Sequence, residues 1–178
     1  MKRDDLAVQI YKLSLISGEF MLRSGVKSNE YFDKYRFESV PEVLRSLTKQ
    51  MVHLLPDKFD YIAGLELGGI PIATAISMHT GKPMVLVRKH AKDYGTCQMV
   101  EGAEIKGKRL VVVEDVVTSG GQIVSSVKDL RNLGAIIDTA ICVIDREVSG
   151  VQSLERINVR LNSLFTMSEL KSYAARSK

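Results

Sequence analysis

The chain has 178 residues, 45% hydrophobic and 26% charged, with a net charge of +4, which suits one globular unit with a buried core. No apolar run approaches the roughly 20 residues of a membrane helix, and the Asp4, Asp5 pair marks the N-terminus as an amphipathic helix rather than a signal peptide, so a cytoplasmic protein without membrane contact is expected. Cys97 and Cys142 lack metal-site or disulfide-framework spacing, and the basic surplus is scattered apart from Arg88, Lys89, His90 and Lys92, a pattern that a small anionic ligand explains as well as nucleic acid does.

In chain order, Leu6, Ile10 and Leu13 with their apolar neighbours predict a helix from about Arg3 to Ile16, closed by Gly18. Short extended segments near Phe20 to Leu22 and Tyr31 to Phe32 flank the polar turn SGVKSNE, and Pro41 opens a second helix toward Leu55. From Tyr61 the pattern changes: YIAGL, a helix over Ile70 to His79, MVLVR, a polar stretch, then RLVVVEDV. A helix from about Gly121 to Leu133, the strand IIDTAICVID, a short strand around Val159 to Leu164 and a helix from about Met167 complete the chain. Alternation of apolar runs with helical stretches predicts an α/β fold with about five parallel strands flanked by helices. A soft boundary near Phe59 separates a small hood, about residues 1–58 plus C-terminal contributions, from a core sheet over about 59–165, within a single domain 1–178. The polar stretch Arg88 to Val100 is long for a strand connection and reads as a functional loop.

The densest chemistry lies in RLVVVEDVVTSGGQI, where a buried strand delivers Glu114 and Asp115 to a turn that opens a helix. Ligands of open α/β sheets bind at the carboxyl ends of strands, and a helix N-terminus behind small residues offers unpaired N–H groups to an anion. Thr118, Ser119, Gly120 and Gly121 fit a phosphate cradle, and no Lys follows as a nucleoside triphosphate loop would require. The adjacent carboxylates suit the hydroxyls of a sugar. Glycines Gly68 and Gly69 of GLELGGIPIA form a second candidate anion nest.

Two acids, two apolar residues and then Thr-Ser-Gly resemble the phosphoribosyl diphosphate signature of the type I phosphoribosyltransferases. Three further segments are similar to the orotate-specific members: FMLRSGVKSNEYFD to their hood, VRKHAKDYGTCQMVEG to their flexible catalytic loop, and CVIDREVSG to the strand end that carries an orotate-binding Arg. The resemblance spans about Phe20 to Leu170. It implies the type I fold and transfer of the 5-phosphoribosyl group to orotate, giving orotidine 5'-phosphate and pyrophosphate in pyrimidine biosynthesis. It further implies that Glu114 and Asp115 hold the ribose hydroxyls, Asp115 being also catalytic, while Asp115, Val116, Val117, Thr118, Ser119, Gly120, Gly121 and Gln122 surround the 5-phosphate. Gly68 and Gly69 would hold pyrophosphate. Arg23, Arg88, Lys89, Lys92 and Tyr94 would contact phosphoribosyl diphosphate, with Arg88, Lys89 and Lys92 neutralising the leaving group. Tyr31, Phe32, Thr118 and Arg146 would contact orotate, Arg146 by a bidentate bond to its carboxylate.

Mg²⁺ is the implied cofactor, bound mainly through substrate oxygens with Glu114 and Asp115 nearby rather than as direct protein ligands. A homodimer sharing the loop across subunits is implied as well, with no nucleic acid partner. A purine-specific relative would share the phosphate machinery, but Arg146 and the LRSG segment point away from it. A non-catalytic nucleotide-binding regulator acting on nucleic acid is disfavoured by the intact basic loop.

Overall fold

The computed structural model describes residues 1–21, 25, 27–89 and 99–177. Helix α1 (Arg3–Ser14) is followed by strands β1 (Leu15–Met21) and β2 (Lys27–Phe32), short helix α2 (Tyr35–Glu38) and α3 (Pro41–Met51), which tightens into a 3₁₀ turn at Val52–Leu54. Then come β3 (Tyr61–Leu65), α4 (Gly69–Thr80), β4 (Met84–Val87), β5 (Val100–Glu101), β6 (Arg109–Val117) and α5 (Gly121–Asn132). The chain finishes with β7 (Ile136–Asp145), α6 (Gly150–Glu155), β8 (Arg160–Thr166) and α7 (Met167–Arg176).

Six strands form the main sheet in the order β5-β4-β3-β6-β7-β8, and β1 pairs antiparallel with β2 in a separate ribbon. Five of the six run parallel, as the apolar runs predicted, and the two-residue β5 is antiparallel to β4. This is the expected α/β architecture, a mostly parallel sheet flanked by helices with a small antiparallel sheet at the N-terminus.

Strand β6 shows why the centre holds. Val111 and Val113 enter the apolar cluster shared with α1, α3, α4 and α7, whereas Leu110 and Val112 enter the one shared with α5 and α6. All four are fully buried, and each contributes about 1.5–3 kcal/mol over an exposed position. A strand covered on both faces must be apolar throughout, so the polar residues at its far end stand out.

After β3 the chain moves through α4 to β4 on one side; β6 then adds on the other side of β3. The chain order therefore reverses between β3 and β6, and a crevice opens beyond their carboxyl ends. Several termini depart from the sequence expectation. Helix α1 ends at Ser14 rather than at about Ile16 before a Gly18 stop, because Leu15 and Ile16 continue directly into β1, and Gly18 lies within the register shift between Ser17 and Phe20. The two short helices α2 and α6 and strand β5 are additions to the elements anticipated.

Helix α2 is brief but anchored: Phe37 is fully buried in the cluster beneath α3 and α1. Arg3 ties α1 to the far end of the chain, donating to the Leu164 carbonyl at 2.6 Å and lying 4.3 Å from the centre of the Phe165 ring.

Candidate active site at the carboxyl ends of β3 and β6

Glu114 and Asp115 lie near the end of β6, and both are buried; the Asp115 side chain has no solvent exposure. A buried carboxylate requires compensation. It comes from Lys34, immediately before α2, whose Nζ lies 2.9 Å from Asp115 Oδ1 and 2.7 Å from Oδ2. The Val116 N–H also donates to Oδ1, and the Asp115 N–H donates to Glu114 Oε1 at 3.2 Å. Burial opposes the charge on Lys34, but Asp115, with smaller help from Glu114 and Tyr35, outweighs it and holds the ammonium above its ordinary pKa.

A third acid completes the group. Glu38 stands one helical turn after Lys34, and an i, i+4 pair shares a helix face. Burial first, and then the charge and hydrogen bonding of Asp115, push the Glu38 carboxyl up to about 9, and the same two causes raise Glu114 well above the usual carboxylate range. Near neutrality Glu38 therefore keeps its proton, and burial beside Asp115 drives Glu114 in the same direction. Glu38 Oε1 and Glu114 Oε2 are buried without a hydrogen-bond partner among the described residues, leaving capacity to bind something added.

The proton on Glu38 makes stability depend on pH. Between its unfolded value near 4.5 and its folded value of about 9 the native protein holds a proton that the unfolded chain has released, so stability falls as pH rises. The melting temperature of the ligand-free protein is expected to decline steadily from pH 6 to 9, and Glu38→Gln to flatten that slope. A wild-type melting temperature that rises over this range would contradict the assignment.

The turn after β3 closes on the cluster. The Glu66–Leu67 peptide is cis, Leu67 is exposed, and Gly68 and Gly69 are buried against β6. A Cβ at Gly68 would lie 1.5 Å from Asp115 Oδ2, and one at Gly69 would lie 2.2 Å from the Val113 carbonyl oxygen. Only glycine lets this turn lie so close to the acids. On the other side Gly120, with φ +74°, turns the chain into α5. The bond from the Val124 N–H to the Gly120 carbonyl opens the intrahelical ladder of α5, so earlier N–H groups have no intrahelical acceptor; that of Gly121 donates to Ser119 Oγ at 3.4 Å. Such a helix start is an anion cradle.

Glu66, which the sequence reading passed over, links three pieces. Its carboxylate accepts the Lys89 N–H, its carbonyl accepts from Gln122 Nε2 at 2.9 Å, and its N–H donates to the Val87 carbonyl at 2.9 Å. It thereby joins the glycine turn to the end of β4 and the first turn of α5. Lys34 and Glu38 were passed over too. The only sequence signal for them is their i, i+4 spacing around Phe37 after the aromatic pair.

The other candidate residues divide. Arg146 donates its backbone N–H to the Val117 carbonyl at 2.8 Å, which fixes it beside the cradle. Its side chain is exposed and meets no partner among the described residues; Asp145 accepts the Glu147 N–H, and Glu147 accepts that of Ser168. Arg88 Nε lies 3.5 Å from Glu101 Oε1, and the Arg88 N–H donates to the Met99 carbonyl at 2.9 Å, so the polar stretch after β4 starts and returns at one place. Lys89 is exposed. Tyr31 and Phe32 occupy opposite faces of β2: Tyr31 lies 5.5 Å from Phe20, centre to centre, whereas Phe32 packs toward the core 6.5 Å from Tyr11. Arg23, Lys92 and Tyr94, and His90 with them, lie outside the described residues.

Together these groups offer acceptors for sugar hydroxyls, two flanking anion nests and a guanidinium that is free among the described residues. The Phosphoribosyl transferase domain family matches residues 37–158. An orotate phosphoribosyltransferase of Nocardioides sp. is 44% identical over 165 residues, covering 93% of this chain and 92% of that one. Among solved structures, the Mycobacterium tuberculosis orotate phosphoribosyltransferase in complex with Fe(III) dicitrate superposes with a TM-score of 0.85 at 30% identity, covering 94% of this chain and 98% of that one. The complex of the same enzyme with 5-phospho-alpha-D-ribosyl 1-diphosphate gives 0.81 at 28% identity, with 95% and 98% covered.

Proposed function

Because the chain belongs to the phosphoribosyl transferase family, we propose that it transfers the 5-phosphoribosyl group from phosphoribosyl diphosphate to orotate, releasing pyrophosphate and orotidine 5'-phosphate in pyrimidine biosynthesis. The observation that carries the choice of orotate is Arg146, a guanidinium without a partner among the described residues, its backbone held beside the phosphate cradle by the Val117 carbonyl. A guanidinium fork pairs bidentately with a carboxylate, and orotate differs from uracil by that group.

In this reading the 5-phosphate rests on the N–H groups at the start of α5 with the hydroxyls of Thr118 and Ser119, and the ribose hydroxyls bond to Asp115 and Glu114. Pyrophosphate lies over Gly68 and Gly69, with Lys89 and Lys92 supplying positive charge and Arg88 contributing after release from Glu101. Asp115 and Glu114 bond the ribose hydroxyls, and the acid pair lies near a ribose ring that becomes cationic as the diphosphate departs. No covalent enzyme intermediate is required. The residues present fit a substrate-borne Mg²⁺, because the orphaned buried oxygens of Glu38 and Glu114, beside the proposed ribose position, could accept from the waters such an ion keeps. When bound, Mg²⁺ would neutralise charge on the departing pyrophosphate.

The enzyme acts as a homodimer whose 88–100 loop serves the opposite site, and as a cytoplasmic protein without a nucleic acid partner. No helix among the described residues is long and apolar enough to cross a membrane.

The test is the ultraviolet absorbance of orotate with phosphoribosyl diphosphate and Mg²⁺, run beside uracil, adenine, hypoxanthine and xanthine. Loss of orotate alone is expected; consumption of a purine would overturn the assignment of Arg146. Arg146→Ala is expected to raise KM for orotate by about 10- to 100-fold, the worth of one charged hydrogen bond, with KM for phosphoribosyl diphosphate nearly unchanged. Equal rises in both would place Arg146 in the phosphate site instead.

A further inference from the structure

We propose that Lys34 is a positioning residue for ribose recognition: paired with both oxygens of Asp115, it holds that carboxylate aimed at the place where the sugar hydroxyls bind. The proposal rests on the reading of Asp115 as a ribose acceptor.

Three carboxyls, Glu38, Glu114 and Asp115, crowd into one buried volume. Like charges so close cannot all be ionised, and the placement of a cation decides which of them is. Among the described residues Lys34 is the cation that touches the group, at 2.9 and 2.7 Å from the two oxygens of Asp115. Its other contact is with its neighbour, the Tyr35 ring, 5.3 Å from Nζ.

The direction of the carboxylate is set at the same time. Gly68 closes one side, and the Val116 N–H and Lys34 hold Oδ1. A carboxylate has about four acceptor positions, so these bonds leave room for a ribose hydroxyl. Phe37 fixes the height of Lys34, because its fully buried ring fastens α2 to the core three residues later. The hood therefore does more than cover the crevice: it supplies a charge to the floor of the site from 81 positions earlier in the chain.

A merely structural tie between hood and sheet would, when cut, loosen every ligand alike. Positioning of Asp115 affects ligands that carry ribose and spares those that do not. The experiment is calorimetric binding, with Mg²⁺ and no base, of phosphoribosyl diphosphate and separately of inorganic pyrophosphate, to wild type, Lys34→Met, Lys34→Gln and Lys34→Arg.

For Lys34→Met the dissociation constant for phosphoribosyl diphosphate should rise about tenfold or more, the scale of one charge-assisted contact, while that for pyrophosphate stays within about twofold. Lys34→Arg should restore phosphoribosyl diphosphate binding to within about threefold of wild type, since it keeps the charge. Lys34→Gln keeps a donor without the charge and should resemble Lys34→Met; if the Met variant fails to fold, the Gln variant answers the same question. Unchanged binding of phosphoribosyl diphosphate in the Met or Gln variant, or an equal loss for both ligands, would overturn the proposal. A wild-type protein that binds neither ligand would instead overturn the functional reading beneath it.

Discussion

Gly68→Ala is expected to lower kcat/KM for phosphoribosyl diphosphate by about 100-fold or more, the scale on which a displacement near 1 Å disables a positioned site. The added methyl would sit 1.5 Å from Asp115 Oδ2 and 2.4 Å from its Cγ. Asp115 cannot swing away freely, because it is buried and bonded to Lys34 and to the Val116 N–H. Either the carboxylate breaks its pair with Lys34 or the turn lifts off β6 and spoils its own nest. Steady-state kinetics with circular dichroism as a check of folding would decide it. A folded variant with near wild-type kcat/KM would show that this close approach is dispensable.

The second large effect is at the carboxylate itself. Asp115→Asn keeps the shape but removes the charge, leaving Lys34 facing a neutral group and the ribose without its charged acceptor. Truncating one member of a buried, hydrogen-bonded charge pair costs about 2–5 kcal/mol, so kcat/KM should fall roughly 30- to several-thousand-fold. The loss should appear with phosphoribosyl diphosphate as the varied substrate and leave KM for orotate close to that of wild type. The substitution also removes the charge that helps to keep Glu38 protonated. The decline in melting temperature between pH 6 and 9 should therefore weaken in the same variant. If the kinetics hold and only stability changes, Asp115 is a structural group and the ribose site lies elsewhere.

The two predictions rest on parts of the molecule that were unequally visible beforehand. The strands β3, β4, β6 and β7 are legible in the sequence as the apolar runs YIAGL, MVLVR, RLVVVEDV and IIDTAICVID; burial on both faces demands this of β3, β6 and most of β7, whereas β4 leaves Leu86 exposed. Glu114 and Asp115 were visible for the converse reason, as two acids on a strand with no other use for charge. Helices α2 and α6 have four and six residues, too few for a 3.6-residue period to declare itself. The end of α1 is hard to place because a glycine is a common helix stop, whereas β1 uses Gly18 at a bulge.

Lys34 and Glu38 escaped notice for a deeper reason. Nothing local distinguishes a cation whose partner is 81 residues away, and an acid next to an aromatic ring on a short helix reads as surface until its burial is known. Glu66 was hidden in the same way, since two of its bonds go to Lys89 and Gln122, 23 and 56 positions distant. Arg146 is legible by its motif, but its lack of a partner among the described residues is not, because the neighbouring Asp145 and Glu147 accept backbone N–H groups instead.

The buried acids have a consequence for how this fold can be improved. Replacing a buried ion pair with well-packed apolar residues of similar volume is often neutral or stabilising. Lys34, Glu38, Glu114 and Asp115 form such a reserve of unrealised robustness in the middle of the molecule. Selection for heat tolerance alone would drift toward Met and Leu at these four positions and arrive at a sturdier protein that no longer holds a sugar, so ligand binding must be screened alongside melting temperature.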